Sequence, residues 1–341
     1  MEGPRLRLEI AALLAASGLG ADGFRVEPCA AGGNNRVYRV EAGGRAFLAK
    51  RYFRHPTDDR DRLNAEYRFL EYAQNAEISC VPKPVARDEG TGFGLYEFIE
   101  GRKLAQEELR AAHVDRARDF FLELNRPGKP PLAVSLSNAS EARFSIDDQL
   151  ALVQQRIDRL SSISSASVVD LEAIALASKM HRQWAALRAG VLAQSRAQGI
   201  DPGAALALED RCISPSDFGF HNALVTAGGR VMFLDFEYAG WDDPAKMVSD
   251  FFSQPAVPVP LEHFDRFLAS ALTFSPRAEM LAVRTRILLP VFRMKWCCIV
   301  MNEFLPNTLR RRKFADPSSD ETARKRVQLD KAQRLLPLIP I

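Results

Sequence analysis

A change of periodicity near Gly101 limits the folds open to this chain more than any other feature. Short β-rich runs at 24–29, 36–40 and 46–52 alternate with Gly32-Gly33-Asn34-Asn35 and Gly43-Gly44, the pattern of antiparallel hairpins. Two more such runs, 85–88 and 94–99, enclose Glu89-Gly90-Thr91-Gly92. Between the two sets, 58–75 has helical spacing, with Leu63, Tyr67, Leu70 and Tyr72 as its inward residues. Beyond 104 the spacing is helical over 105–124, 147–160, 168–198, 245–253, 262–274 and 278–305. Strands gathered at one end and helices at the other predict an α+β molecule. Residues 1–101 form a small N-terminal lobe with a five-stranded antiparallel sheet and one helix, and 102–341 form a larger, mainly helical lobe.

Composition excludes several classes. The 341 residues are 47% hydrophobic and 26% charged, ordinary for a globular chain that buries a large core. A net charge of +3 implies no bulk binding of polyanions. Five cysteines, without CxxC spacing, predict reduced thiols in a cytoplasmic protein. Arg5 and Arg7 precede an apolar run at 10–16, but Glu9 interrupts it, and Leu6, Ile10, Leu13 and Leu14 share one helical face. That reads as an amphipathic helix, not a signal peptide. No run approaches the about 18 uncharged apolar residues a membrane span needs. Segments 125–140 and 161–167 read as loops or mobile connectors. Near the C-terminus, Arg310-Arg311-Arg312-Lys313 and Arg324-Lys325-Arg326 are interleaved with acids. They read as a solvated helix surface, with no nucleic acid or membrane partner.

The candidate functional residues recur at the junctions of these elements. Gly32, Gly33, Asn34 and Asn35 lie between two strands, where backbone amides approach phosphates without a Cβ in the way. Lys50 ends an apolar strand and Glu66 follows sixteen residues later on the helix, which suits an ion pair that fixes the lysine. The segment 95–101, with Glu97 and Ile99, leaves the last strand for the helical part. Asp217, Asn222 and Asp235 are separated by five and eighteen residues, the longer gap holding a hairpin of 223–226 and 230–236. One carboxylate to orient a hydroxyl and take its proton, with two hard oxygen ligands for magnesium, is what phosphoryl transfer requires. His221, beside Asn222, reads as a packing or hydrogen-bonding residue.

With these residues in this order, the chain resembles the aminoglycoside phosphotransferase and choline-kinase-like superfamily over about residues 24–300, most sharply over 214–250. The resemblance implies a bilobal protein-kinase-like fold that uses ATP and Mg²⁺ to phosphorylate a small-molecule acceptor. It makes Lys50 and Glu66 the phosphate-positioning pair, the backbone of Glu97 and Ile99 the adenine contact, Asp217 the catalytic base, and Asn222 and Asp235 the magnesium ligands. Trp241-Asp242-Asp243-Pro244 matches the family's Gly-Asp-Pro-like element, and Asp250 a later structural aspartate. Two departures stand out. Pro215-Ser216 replaces the family's His-Gly, so Ser214 or Ser216 must brace the loop, and Glu237 stands where protein kinases have a glycine, a change common in the small-molecule branch. Between 276 and 305, Arg277, Arg284, Arg286, Arg293 and Lys295 outnumber the acids. If these border the acceptor, it is neutral or anionic, such as a sugar, sugar acid or hydroxy acid. A nucleotide-binding pseudokinase and an aminoglycoside or choline-type kinase are the alternatives.

Overall fold

The computed structural model describes residues 2–20, 23–29, 35–55, 58, 60–128, 133, 135–306, 308, 312 and 320–340. Gly32, Gly33 and Asn34, and in the basic tail Arg310, Arg311 and Lys313, lie outside the described residues. Five strands, β1 (Arg25–Pro28), β2 (Arg36–Ala42), β3 (Arg45–Arg51), β4 (Pro84–Asp88) and β5 (Phe93–Glu97), form one antiparallel sheet in the order β1-β2-β3-β5-β4. Gly43 and Gly44 have φ of +56° and +71°, the left-handed geometry that closes a two-residue turn between paired Ala42 and Arg45.

Alternation along β3 decides what each face meets. Phe47 and Ala49 point to one side, where α1 (Glu2–Ala16) packs with Ile10, Leu13 and Leu14 buried. The N-terminal part thus carries a second helix on its sheet beside the one expected at 58–75. Leu48 and Tyr52 join the core on the other face, toward α2 (Arg62–Asn75), and Lys50 shares their side. α2 begins four residues later than the periodicity suggests. Asp61 caps it by accepting the Asn64 N–H, while Asp58 stays outside the helix and pairs with Arg60 and Arg62. Tyr72 and Phe69 are its fully buried aromatics, while Tyr67 is half-buried.

The remainder is mainly helical: α3 (Ala111–Leu124), α4 (Ile146–Arg159), α5 (Val168–Ala197), α6 (Pro244–Phe251), α7 (Phe264–Ala271), α8 (Ala278–Met301) and α9 (Glu321–Leu335). Three predicted helices are shorter than expected. Residues 106–108 form a separate turn because Glu108 folds back onto the Ala105 N–H and Arg102. Residues 261–263 and 302–304 are likewise short 3₁₀ turns beside α7 and α8. Small strands frame the segment between α5 and α6. β6 (Arg102–Lys103), β8 (Ala223–Val225) and β9 (Val231–Phe233) make one sheet, and β7 (Cys212–Ser214) pairs with β10 (Gly240–Asp242). Part of the expected loop 125–140 is pinned. The Asn125 side chain clamps both backbone groups of Ile213, and the 137–139 backbone bonds Trp241.

A continuous core crosses from α2 into the helical part. Phe69 stacks on Phe236 at 4.6 Å and Phe120 stacks on Phe233 at 4.9 Å. The helix bearing Glu66 and the segment bearing Asp235 are therefore packed on one another. α9 is not a loose basic tail: Leu329 and Ala332 are buried, and Arg324, Lys325 and Arg326 pair with Glu303, Asp170 and Glu172. All five cysteines are free thiols, four of them buried. Among the described residues no helix is long and apolar enough to cross a membrane.

Candidate active site

Lys50 is the centre of the first cluster. Its Nζ lies 2.6 Å from Glu66 Oε2 and 2.5 Å from Asp235 Oδ1. Tyr52 Oη donates to the same Glu66 oxygen at 2.5 Å and lies 2.7 Å from Tyr96 Oη. Lys50 is 5% and Glu66 4% exposed. Burial works against the ammonium, but the Asp235, Glu66 and Glu237 carboxylates outweigh it and hold the Lys50 pKa well above its ordinary value. The lysine is therefore a fixed, permanent cation. Asp235 differs from its partners, for its side chain is 41% exposed, so one face of the carboxylate is open.

Asp217 and Asn222 form the second cluster. Asn222 Nδ2 donates to the Asp217 carbonyl at 3.0 Å and to Asp217 Oδ2 at 3.3 Å, while His221 Nε2 lies 3.1 Å from Asp217 Oδ1. Burial raises the pKa of Asp217, but the hydrogen bond and field of His221, the Asn222 amide and the Lys295 ammonium outweigh it. They hold the carboxyl below its usual range. Gly219 makes room for the imidazole: a Cβ there would come within 2.8 Å of His221 Nδ1 and 3.0 Å of Gln254 Cγ. The two clusters meet where the Leu234 N–H donates to the Asn222 carbonyl at 2.8 Å.

The bracing of Pro215-Ser216 is explicit. Ser214 Oγ accepts the Ser216 N–H at 2.9 Å, and Lys246 Nζ donates to Ser216 Oγ at 3.0 Å and to Asp242 at 2.6 Å. Both serines named as substitutes take part, with Lys246 as a third member that the sequence reading missed. Its spacing four residues from Asp242 and from Asp250 was the available signal. Strain is concentrated in the same place. Of four non-glycine residues with positive φ among those described, Asp235 belongs to the first cluster, Ser216 directly precedes Asp217 of the second, and Glu141 lines the adjoining cavity.

That cavity has a volume of about 1210 Å³ and reaches Ser216, Asp217, His221, Asp250, Lys295 and Trp296. Asp250 accepts from Lys295 Nζ at 2.6 Å and from Trp296 Nε1 at 2.9 Å, which places it in the wall. The expectation that five basic residues of 276–305 border an acceptor is corrected here, since only Lys295 lines the cavity. Arg284 is buried against Asp243, and Arg277, Arg286 and Arg293 face Glu209, Asp265 and the Leu338 carbonyl. Glu141, held by Arg156, was not foreseen, because fifteen residues and a loop separate the partners.

Of the remaining candidates, Asn35 uses its side chain. Its Nδ2 donates to Glu237 at 2.6 Å, and its Oδ1 accepts the Phe53 N–H at 3.1 Å. Glu97 ends β5, bonded through its N–H and carboxylate to Lys83, and Ile99 is half-buried in the connector beyond it. Among the described residues no trio of His, Cys, Asp or Glu could cage a metal. Asn222 and Asp235 instead offer two hard oxygens: the Asn222 amide nitrogen is committed to Asp217, and the Asp235 carboxylate is half open. Such a donor set suits magnesium, which keeps several waters and takes further ligands from substrate phosphates.

Residues 25–267 match a family model described as the phosphotransferase enzyme family. Solved structures share the fold over nearly the whole chain. A choline/ethanolamine kinase family protein from Mesorhizobium loti is 18% identical, with TM-score 0.57 and coverage of 98% of this chain and 95% of that one. Choline kinase from Cryptosporidium parvum is 13% identical, with TM-score 0.55 and 98% of each chain covered. A spectinomycin phosphotransferase in complex with ADP and spectinomycin is 13% identical, with TM-score 0.56 and coverage of 96% and 98%. No curated protein matches the sequence.

Proposed function

We propose a reaction for this chain on one premise: it belongs to the phosphotransferase enzyme family. It is an ATP-dependent small-molecule kinase that uses Mg²⁺ to phosphorylate a hydroxyl group. The observation that carries this is the convergence of Lys50, Glu66 and Asp235 with Asp217 and Asn222 at one place. Residues 1–101 serve as the nucleotide lobe, with the connector at Glu97 and Ile99 against adenine. Residues 102–341 supply the acceptor side.

In this reading the fixed charge of Lys50 holds the nucleotide phosphates, and Glu66 and Tyr52 keep it aimed. Asn222 and Asp235 hold magnesium, which when bound neutralises phosphate charge. Asp217 aligns the acceptor hydroxyl and takes its proton on a carboxylate oxygen. Positioning and fixed charge supply most of the rate, since this transition state asks little covalent help. His221 keeps Asp217 ionised, which has a pH consequence. Activity needs the carboxylate form, so the acid limb of kcat/KM lies below the usual aspartate pKa of about 3.9. In His221→Leu, with a lowering influence gone, that limb moves to higher pH. An unmoved limb in a folded variant would separate His221 from the base.

The acceptor is neutral or anionic, a sugar-like molecule or hydroxy acid. In the cavity lining, Lys and Arg outnumber Asp and Glu eight to five, the wrong field for a polycation. Its volume of about 1210 Å³ exceeds the about 300–1,000 Å³ usual for small-molecule pockets, which leaves ample room for a sugar-like acceptor. Phosphoryl transfer from labelled ATP to sugars, sugar acids and hydroxy acids, run beside aminoglycosides and choline, tests this. Turnover confined to the first group is expected. Turnover confined to the cationic acceptors would reverse the acceptor class, and nucleotide binding with no transfer to any acceptor would argue for a pseudokinase.

A further inference from the structure

We infer that Lys103 is a phosphate-binding residue that reaches the terminal, transferable phosphoryl group from the loop joining Asp217 to Asn222. The inference rests on the kinase reading above and adds a residue that none of the motifs names. β6 carries Lys103 beside the site, because it pairs with β8 in the register Lys103↔Leu224, two residues past Asn222. From there the side chain turns back, and Nζ donates to the His221 carbonyl at 2.7 Å. The ammonium thus sits on the loop that joins Asp217 to Asn222. It also lies within the field of Asp235.

Its charge is what sets it apart. Lys50 binds Glu66 and Asp235, Lys246 binds Asp242, and Lys295 binds Asp250. Among the described residues Lys103 has a carbonyl for a partner and no carboxylate, and its side chain is exposed. An ammonium has three donors, and the His221 carbonyl uses one. The others are available to an anion that comes to rest between Asp217 and Asp235, which is where the transferred group must pass. Lys50 is already committed to the buried Glu66 and to Asp235, so Lys103 is a second ammonium in the field of Asp235, with donors left for the charge that develops on the transferred group. A purely structural role is the competing reading, with Lys103 only tying the connector after β5 to the loop.

Nucleotide affinity separates the two. Binding of ADP and of a non-hydrolysable β,γ-methylene analogue of ATP is measured by calorimetry with Mg²⁺, on the full chain and on Lys103→Ala and Lys103→Arg, with thermal midpoints as a check of folding. Lys103→Ala is expected to weaken the ATP analogue on the order of tenfold and ADP by less than about twofold, in keeping with loss of a charge-assisted hydrogen bond to the last phosphate. Lys103→Arg is expected to restore most of the difference. Equal losses for both nucleotides, or none, would overturn the assignment and leave the kinase reading intact. If the unaltered chain bound neither nucleotide, the kinase reading would fall, and Lys103 with it.

Discussion

Asp217→Asn is expected to lower kcat by roughly 10²–10⁴-fold, the range for loss of a general base, with nucleotide affinity and thermal midpoint nearly unchanged. The substitution preserves shape and removes charge. Asp217 makes its contacts with polar partners, His221 and Asn222, that an amide can still satisfy after rotation. Its side chain is one-third exposed on the cavity side, so no buried charge is left unpaired. The loss therefore falls on the chemical step and not on folding. Steady-state kinetics with any acceptor from the panel, together with ADP titration, measure the split. A variant that turns over within about threefold of the parent would remove Asp217 from the reaction.

The largest effect on stability is expected at a residue that takes no part in chemistry. Asp243 is 0% and Arg284 2% exposed. Asp243 Oδ2 accepts from Arg284 at 2.6 Å and 3.1 Å, while Oδ1 accepts the Ala245 N–H at 2.8 Å and caps α6. Asp243→Ala strands a guanidinium in the core and uncaps the helix that carries Lys246 and Asp250. Breaking a buried pair by removing one partner costs about 3–5 kcal/mol, and the cap adds about 1 kcal/mol. Urea unfolding is the check. The double variant Asp243→Ala/Arg284→Met should recover part of the loss, because it removes the orphaned charge. A loss under about 1 kcal/mol in the single variant would mean that water or another group takes over the arginine.

The strands and the order of the site motifs were legible because they depend on local pattern. Short β-rich runs bounded by glycine turns located all five strands of the sheet, and the spacing of Lys50 to Glu66 and of Asp217 to Asn222 singled out side chains that the fold brings together. Helix limits were less legible, since a single cap such as Asp61, or a fold-back such as Glu108, moves an end by several residues. Long-range charge pairing was hidden altogether. Arg284 and Lys295 lie eleven residues apart on one helix. One serves a buried pair and the other a cavity wall, and only the placement of Asp243 at the N-cap of α6 and of Asp250 within it decides which. The same limit concealed Glu141 with Arg156.

On the proposed reading, Asp235 and Asn222, with Lys50, form a magnesium-dependent site for a nucleoside triphosphate. Calorimetric titration of ATP into the protein and into Asp235→Asn, with and without Mg²⁺, addresses it most directly. Mg²⁺ is expected to strengthen binding to the unaltered chain, and this dependence is expected to disappear in the variant. Equal affinity under all four conditions would contradict it.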